Sequence, residues 1–221
     1  MLSRALRWLG IAALAIGYPL LAHYTNRHPP ADAPNHLGLV VALTPIVLLL
    51  TIFAWRSTRR ALMLSVLGVF FAALYAAWPR LARHYGLVYW IEHVGTQFML
   101  CILFGRTLAD GRLPLCTLFA RIVHAPAKLL PEQEHYARHI TRAWAIFFAL
   151  NATVSTLLFF GTPIATWSTY ANFVTPVLVV GLFVVEYRVR LWLLPHIPHA
   201  RLMDAARAFK NFDPQHPPHM G

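Results

Sequence analysis

The sequence predicts an all-α integral membrane protein of six transmembrane helices, and three observations lead there. Of its 221 residues, 58% are hydrophobic and only 12% are charged, about half the charged share of a soluble domain. Six windows of about 18 residues lack Lys, Arg and Asp, enough to cross roughly 30 Å of hydrocarbon at 1.5 Å per helical residue. The basic residues are also lopsided: Arg27, Arg80 and Arg83 fall on one side of these windows, and the other sixteen of nineteen on the other. Such an excess marks the cytoplasmic side, so both termini are expected inside. The net charge of +11 then belongs to loop ends that meet anionic headgroups of the lipid bilayer, and no nucleic-acid partner is expected.

The first span is placed at residues 8–25. Arg4 and Arg7 ahead of the apolar run Trp8 to Ala22 look like a secretory signal. The first small-x-small site, Ala31-Asp32-Ala33, lies beyond that run and is followed by Pro34, a poor cleavage position, so the segment is read as retained. Pro29, Pro30 and Pro34 make Asn26 to His36 an irregular loop. Span two covers 37–55, and a basic turn with Arg56, Arg59 and Arg60 leads to span three at 61–78, closed by Pro79. Span four is 86–104. After a polar interval at 105–142 come span five at 143–160, an uncharged turn from Gly161 to Trp167, and span six at 168–185. The membrane domain thus occupies 1–194, and a basic, Pro- and His-rich cytoplasmic tail occupies 195–221. Thr44-Pro45 and Thr175-Pro176 sit at similar depths in spans two and six. A parallel repeat would explain them, but so does the ability of a Thr hydroxyl to satisfy a freed carbonyl in a membrane helix. Cys101 and Cys116 do not form a disulfide framework and are read as free thiols.

The polar interval is where chemistry or a partner is expected. Leu115, Leu118, Phe119, Ile122 and Val123 follow the one-faced pattern of an amphipathic helix, with Cys116, Thr117, Arg121 and His124 on the other face. Pro114 suits its first turn and Pro126 should stop it. The apolar face is expected towards acyl chains and Arg121 towards phosphate. A second helix should start at Pro131, with Glu132 and Glu134 in its first turn, and run unbroken into span five. Glu134 and Arg138 then form an i,i+4 pair, and Arg142 continues that face. Arg106, Arg112, Arg121, Lys128, Arg138 and Arg142 outnumber Asp110, Glu132 and Glu134 and are the candidate partner- or headgroup-binding residues.

Within the membrane, Glu92, His93 and Gln97 of span four form the polar group. A charge at this depth costs about 2.5 to 3.5 kcal/mol, so it needs a partner or a use. An ion pair of Glu92 with Arg80 or Arg83 would be structural; a site facing a cavity would carry protons or substrate. Glu186, beside Arg188 and Arg190, reads as an interfacial anchor. His135 and His139 have the spacing of paired metal ligands, but zincin chemistry needs Glu where Tyr136 stands, and the further His boxes of membrane di-iron enzymes are absent. Neither a metal nor another cofactor is therefore expected, and no catalytic residue is assigned. His199 and Asp204 have the H-x4-D spacing of glycerolipid acyltransferases without a companion phosphate-binding motif.

Gly105-Arg106-Thr107-Leu108, Pro114-Leu115 with Phe119-Ala120, Tyr136-Ala137-Arg138 with Thr141-Arg142-Ala143-Trp144, and Glu186-Tyr187-Arg188 resemble an uncharacterised family of bacterial inner-membrane proteins. That family is encoded among the fatty-acid-synthase-like enzymes of aryl polyene pigment gene clusters, of the xanthomonadin type. The resemblance covers roughly Leu87 to Leu194. It implies a multi-pass inner-membrane location and a pathway, without a mechanism. The first expectation is an accessory protein, not itself an established enzyme, that docks an acidic acyl carrier protein or pathway enzymes through the basic interval. The alternatives are a transporter or flippase of a lipid-linked product and a histidine-dependent membrane acyltransferase or oxidase.

Overall fold

The computed structural model describes residues 16–27, 34–124 and 129–194. No strand occurs among them. Residues 16–27 form α1, followed by α2 (His36–Arg56), α3 (Arg60–Arg83), α4 (Tyr85–Arg106), α5 (Leu115–His124), α6 (Pro131–Gly161) and α7 (Ile164–Leu193). Five of these, α2, α3, α4, α6 and α7, are long and apolar enough to cross a membrane. Residues 8–15 of the first expected span, Pro126, Lys128 and the tail with His199 and Asp204 lie outside the described residues.

Large apolar side chains point outward from every one of these long helices, such as Leu49, Val69, Ile91, Leu157 and Val177. In water so much exposed hydrocarbon would drive aggregation, whereas in lipid it is the ordinary solvated surface. Packing and hydrogen bonds must therefore hold the helices together, because hydrocarbon supplies no hydrophobic drive between them.

The chain divides into two compact units, Met1–Gly95 with Val154–Pro176, and Thr96–Thr153 with Val177–Gly221. The core of the first is built from Ala22 of α1, Leu39, Ala42 and Leu43 of α2, Ala82 of α3, Tyr85 and Tyr89 of α4, and Trp167 of α7. Asn35 ties three of these helices. Its Oδ1 accepts from Gly38 N at 2.7 Å and caps α2, its Nδ2 donates to Thr25 O at 3.2 Å, and its backbone N–H donates to Ala82 O at 2.9 Å. Gly38 permits this closeness: a Cβ there would come within 2.8 Å of both the Asn35 amide and the Tyr85 ring.

The second unit is centred on aromatic rings. Trp144 of α6 is buried and packs on Phe104 of α4, on Phe148 one turn along, and on Phe183 of α7, whose ring centroid is 4.6 Å away. Ile122 of α5 and Ala137 of α6 are buried as well.

Two boundaries depart from the sequence expectation, each for a local reason. Pro79 does not end span three; α3 continues to Arg83. Pro79 removes one backbone donor, but the end of the helix is closed by His84 N–H donating to Arg80 O and Leu81 O. The turn expected from Gly161 to Trp167 shrinks to Thr162 and Pro163, because Pro163 O accepts from the N–H groups of Thr166 and Trp167 and starts α7 early. The two Thr-Pro steps also differ. Pro45 lies within an uninterrupted α2, whereas Pro176 follows a π-helical turn at Tyr170–Val174, where Thr175 N–H reaches back to Tyr170 O. Widening the helix there relieves the crowding that a proline ring imposes on the preceding turn.

Candidate functional site

A string of polar side chains runs through the first unit where an apolar core would be expected. Glu92 Oε2 accepts from the Tyr18 phenol at 3.3 Å. Thr25 Oγ1 lies 3.3 Å from Tyr89 Oη, and Tyr85 Oη donates to Thr25 O at 3.4 Å. Two serines with no exposed surface, Ser155 and Ser168, act as junctions. Ser168 Oγ receives Asn26 Nδ2 at 3.4 Å and Asn172 Nδ2 at 3.1 Å and lies 3.2 Å from His23 Nδ1. Ser155 Oγ accepts from Trp167 Nε1 at 2.9 Å and lies 3.0 Å from His93 Nδ1.

Ser155 Oγ, which takes the indole N–H of Trp167, holds His93 Nδ1 on its other side. The second ring nitrogen of His93, Nε2, is buried and has no hydrogen-bond partner among the described residues. A buried polar atom left unpaired costs about 1 to 3 kcal/mol, which a water or a polar ligand group at this point would recover. Of the expected intramembrane group, Glu92 and His93 thus join the network of the first unit. Gln97 belongs to the second, buried, with Oε1 unpartnered.

In the second unit the polar interval is a built structure. Gly111, with φ of 74°, takes the one left-handed position in the turn that leads to α5. The first N–H groups of α5 have no helical acceptors, and threonines supply them: Leu115 N–H donates to Thr107 Oγ1 and Cys116 N–H to Thr141 Oγ1, both at 3.1 Å. Arg121 donates to Glu134 Oε1 through Nη2 at 2.6 Å and Nε at 3.0 Å. Arg138 Nη2 donates to Leu108 O at 2.9 Å. Tyr136 Oη donates to Glu186 O at 3.0 Å, and Arg190 pairs with Glu186 at 3.1 Å.

These contacts correct several expectations. Glu134 pairs with Arg121 of α5 and not with Arg138 of its own helix, because the loop carbonyl of Leu108 takes the Arg138 fork. Arg121 is thus held against α6 by its own ion pair. The polar face of α5 turns towards α6, with Thr117 buried, while Leu118 and Phe119 remain exposed. Glu186 is more than a surface anchor, since its carboxylate is mostly buried and joins α6 to α7. Burial pushes the Cys116 thiol above its ordinary range. Of the candidate basic residues, Arg106, Arg112 and Arg142 are exposed.

His135 and His139 stand on the exposed face of α6 with their Nε2 atoms 3.0 Å apart. One ring donates to the other, and the same two nitrogens could hold a metal ion. No group of three or more His, Cys, Asp or Glu with metal-binding geometry exists among the described residues. The residues that sequence reasoning missed are Tyr18, Ser155, Trp167 and Ser168. The available signal was the i,i+4 pair of Asn151 and Ser155 inside an otherwise apolar span.

No family model, curated protein or solved structure matches the chain.

Proposed function

We propose that the protein is a multi-pass accessory protein of the bacterial inner membrane, with six spans, both termini and the interval between α4 and α6 in the cytoplasm. There it docks an acidic acyl carrier and its enzymes in aryl polyene or fatty-acyl synthesis. The clamping of α5 onto α6 is the observation that carries this reading. Arg121 and Arg138 are spent on holding the interval in shape, so Arg106, Arg112 and Arg142 are presented from a fixed frame. A frame ordered in advance spares the entropy that a flexible basic loop would lose on binding. The competing explanation is lipid attraction, worth about 1 kcal/mol per basic residue near an anionic surface. Nanodiscs of purely zwitterionic lipid remove that attraction and keep the docking face. In them the carrier is expected to bind at low ionic strength and to dissociate as salt rises. No binding at low ionic strength would leave the interval as a lipid anchor.

The network of the first unit supports a second reading, transport of a lipid-linked product, because His93 Nε2 is an unpartnered buried polar atom on the same helix as Glu92. Glu92→Gln keeps an oxygen that can accept from Tyr18 and removes only the charge. If Glu92 carries protons or substrate, this variant should abolish polyene output in complemented cells at normal expression. Reduced expression with active surviving protein would make Glu92 structural and remove the support for transport.

A further inference from the structure

Within the first unit, the end of α1 and the first turns of α7 line a crevice of about 470 Å³, within the range of small-molecule sites. One side is polar, with Arg27, His23 and the hydroxyls of Thr166, Thr169 and Tyr170; the other is formed by Leu158, Ala165 and Val174. No carboxylate lines it among the described residues. Arg27 makes no ion pair or hydrogen bond among the described residues. His23 is fixed by Ser168 on Nδ1 and by the edge of Phe173 at 5.2 Å, which leaves Nε2 for another partner. Tyr170 and Val174 reach this wall from the two ends of the π-helical turn, a distortion that recurs at functional sites.

We propose that this crevice is a binding site for an anionic phospholipid. The phosphate sits on Arg27 with the Thr166 hydroxyl and His23 as further donors, and the start of an acyl chain lies along Leu158, Ala165 and Val174. Three features select this occupant. The chain is a membrane protein whose neighbouring solvent is lipid. Among the described residues the cation has no partner and the crevice no carboxylate, so a net negative headgroup gains what a zwitterionic one loses through its own ammonium. The volume accommodates a headgroup and the first carbons of a chain, not a whole lipid, so the remaining chain stays in the bilayer. The site depends on neither the docking nor the transport reading.

The test is native mass spectrometry of the full chain released from membranes of mixed phosphatidylglycerol and phosphatidylcholine. Wild type is expected to retain phosphatidylglycerol selectively. Arg27→Glu should weaken retention by roughly tenfold or more, from the loss of one headgroup contact and the gain of a repulsion. Ala165→Phe, which fills the crevice and leaves every charge in place, should also lose the lipid, whereas Arg83→Glu, an equal charge change elsewhere in the same unit, should keep it. Retention by Arg27→Glu, or equal loss in Arg83→Glu, would overturn the site. Displacement of the lipid by inorganic phosphate alone would show that the apolar wall contributes nothing, and would overturn a lipid occupant in favour of a free anion.

Discussion

Trp167→Ala is expected to remove most folded protein from the membrane, with a loss of about 3 kcal/mol. Trp167 is 1% exposed; its ring meets the edge of Phe159 at 5.3 Å and that of His93 at 6.3 Å, and its Nε1 donates to Ser155. In a soluble protein Trp→Ala costs roughly 3 to 5 kcal/mol, part of it transfer out of water. Lipid is itself apolar, so that part shrinks here, and the cavity and the lost hydrogen bond remain. The low end of the range follows. Trp167→Phe separates the contributions, since it keeps most of the packing and loses only the N–H, worth about 1 kcal/mol. Resistance to unfolding in mixed detergent micelles measures both, and an alanine variant as resistant as wild type would show that Trp167 does not organise the first unit.

Reversing Arg106, Arg112 and Arg142 together to glutamate is expected to weaken carrier binding in zwitterionic discs by on the order of a hundredfold. One exposed pair is worth only about 0 to 1 kcal/mol, but three reversals each remove an attraction and add a repulsion. None of the three makes an ion pair among the described residues, and Arg112 Nη1 reaches Arg106 O only at 3.5 Å, so the bundle should keep its thermal stability. Arg121→Glu must behave differently. It places a second carboxylate beside Glu134 and should loosen α5, and adding Glu134→Arg should restore it. Undiminished binding by the triple variant would remove these arginines from the docking face.

The helices were legible in the sequence because their signals are local. Uninterrupted apolar length marked α2, α3, α4, α6 and α7, and the spacing of Leu115, Leu118 and Ile122 marked α5 between two prolines. Misplaced ends came from proline, whose local effect is to break a helix: at Pro79 the backbone found other closures, and at Pro163 it opened a helix sooner than hydropathy suggested. The site was legible only where a charge stood out against hydrocarbon, as at Glu92. Ser155 and Ser168 are small hydroxyls of the kind any membrane helix tolerates, and only the packing of separate helices turns them into junctions. Arg121 shows the same limit from the other side. Helical spacing offered Glu134 a partner at Arg138, while the tertiary approach of α5 offered a better one.

The sidedness of the interval tests the account most directly, because docking requires it to face the cytoplasm. Cys116 is a poor reporter, since it is partly buried and burial raises its thiol, which slows labelling on either side. Arg112 stands exposed in the turn before α5. A single cysteine there, in a chain carrying Cys101→Ala and Cys116→Ala, should be spared by a membrane-impermeant maleimide in intact spheroplasts and labelled once they are permeabilised. Labelling at full rate before permeabilisation would place the interval outside and contradict the docking account.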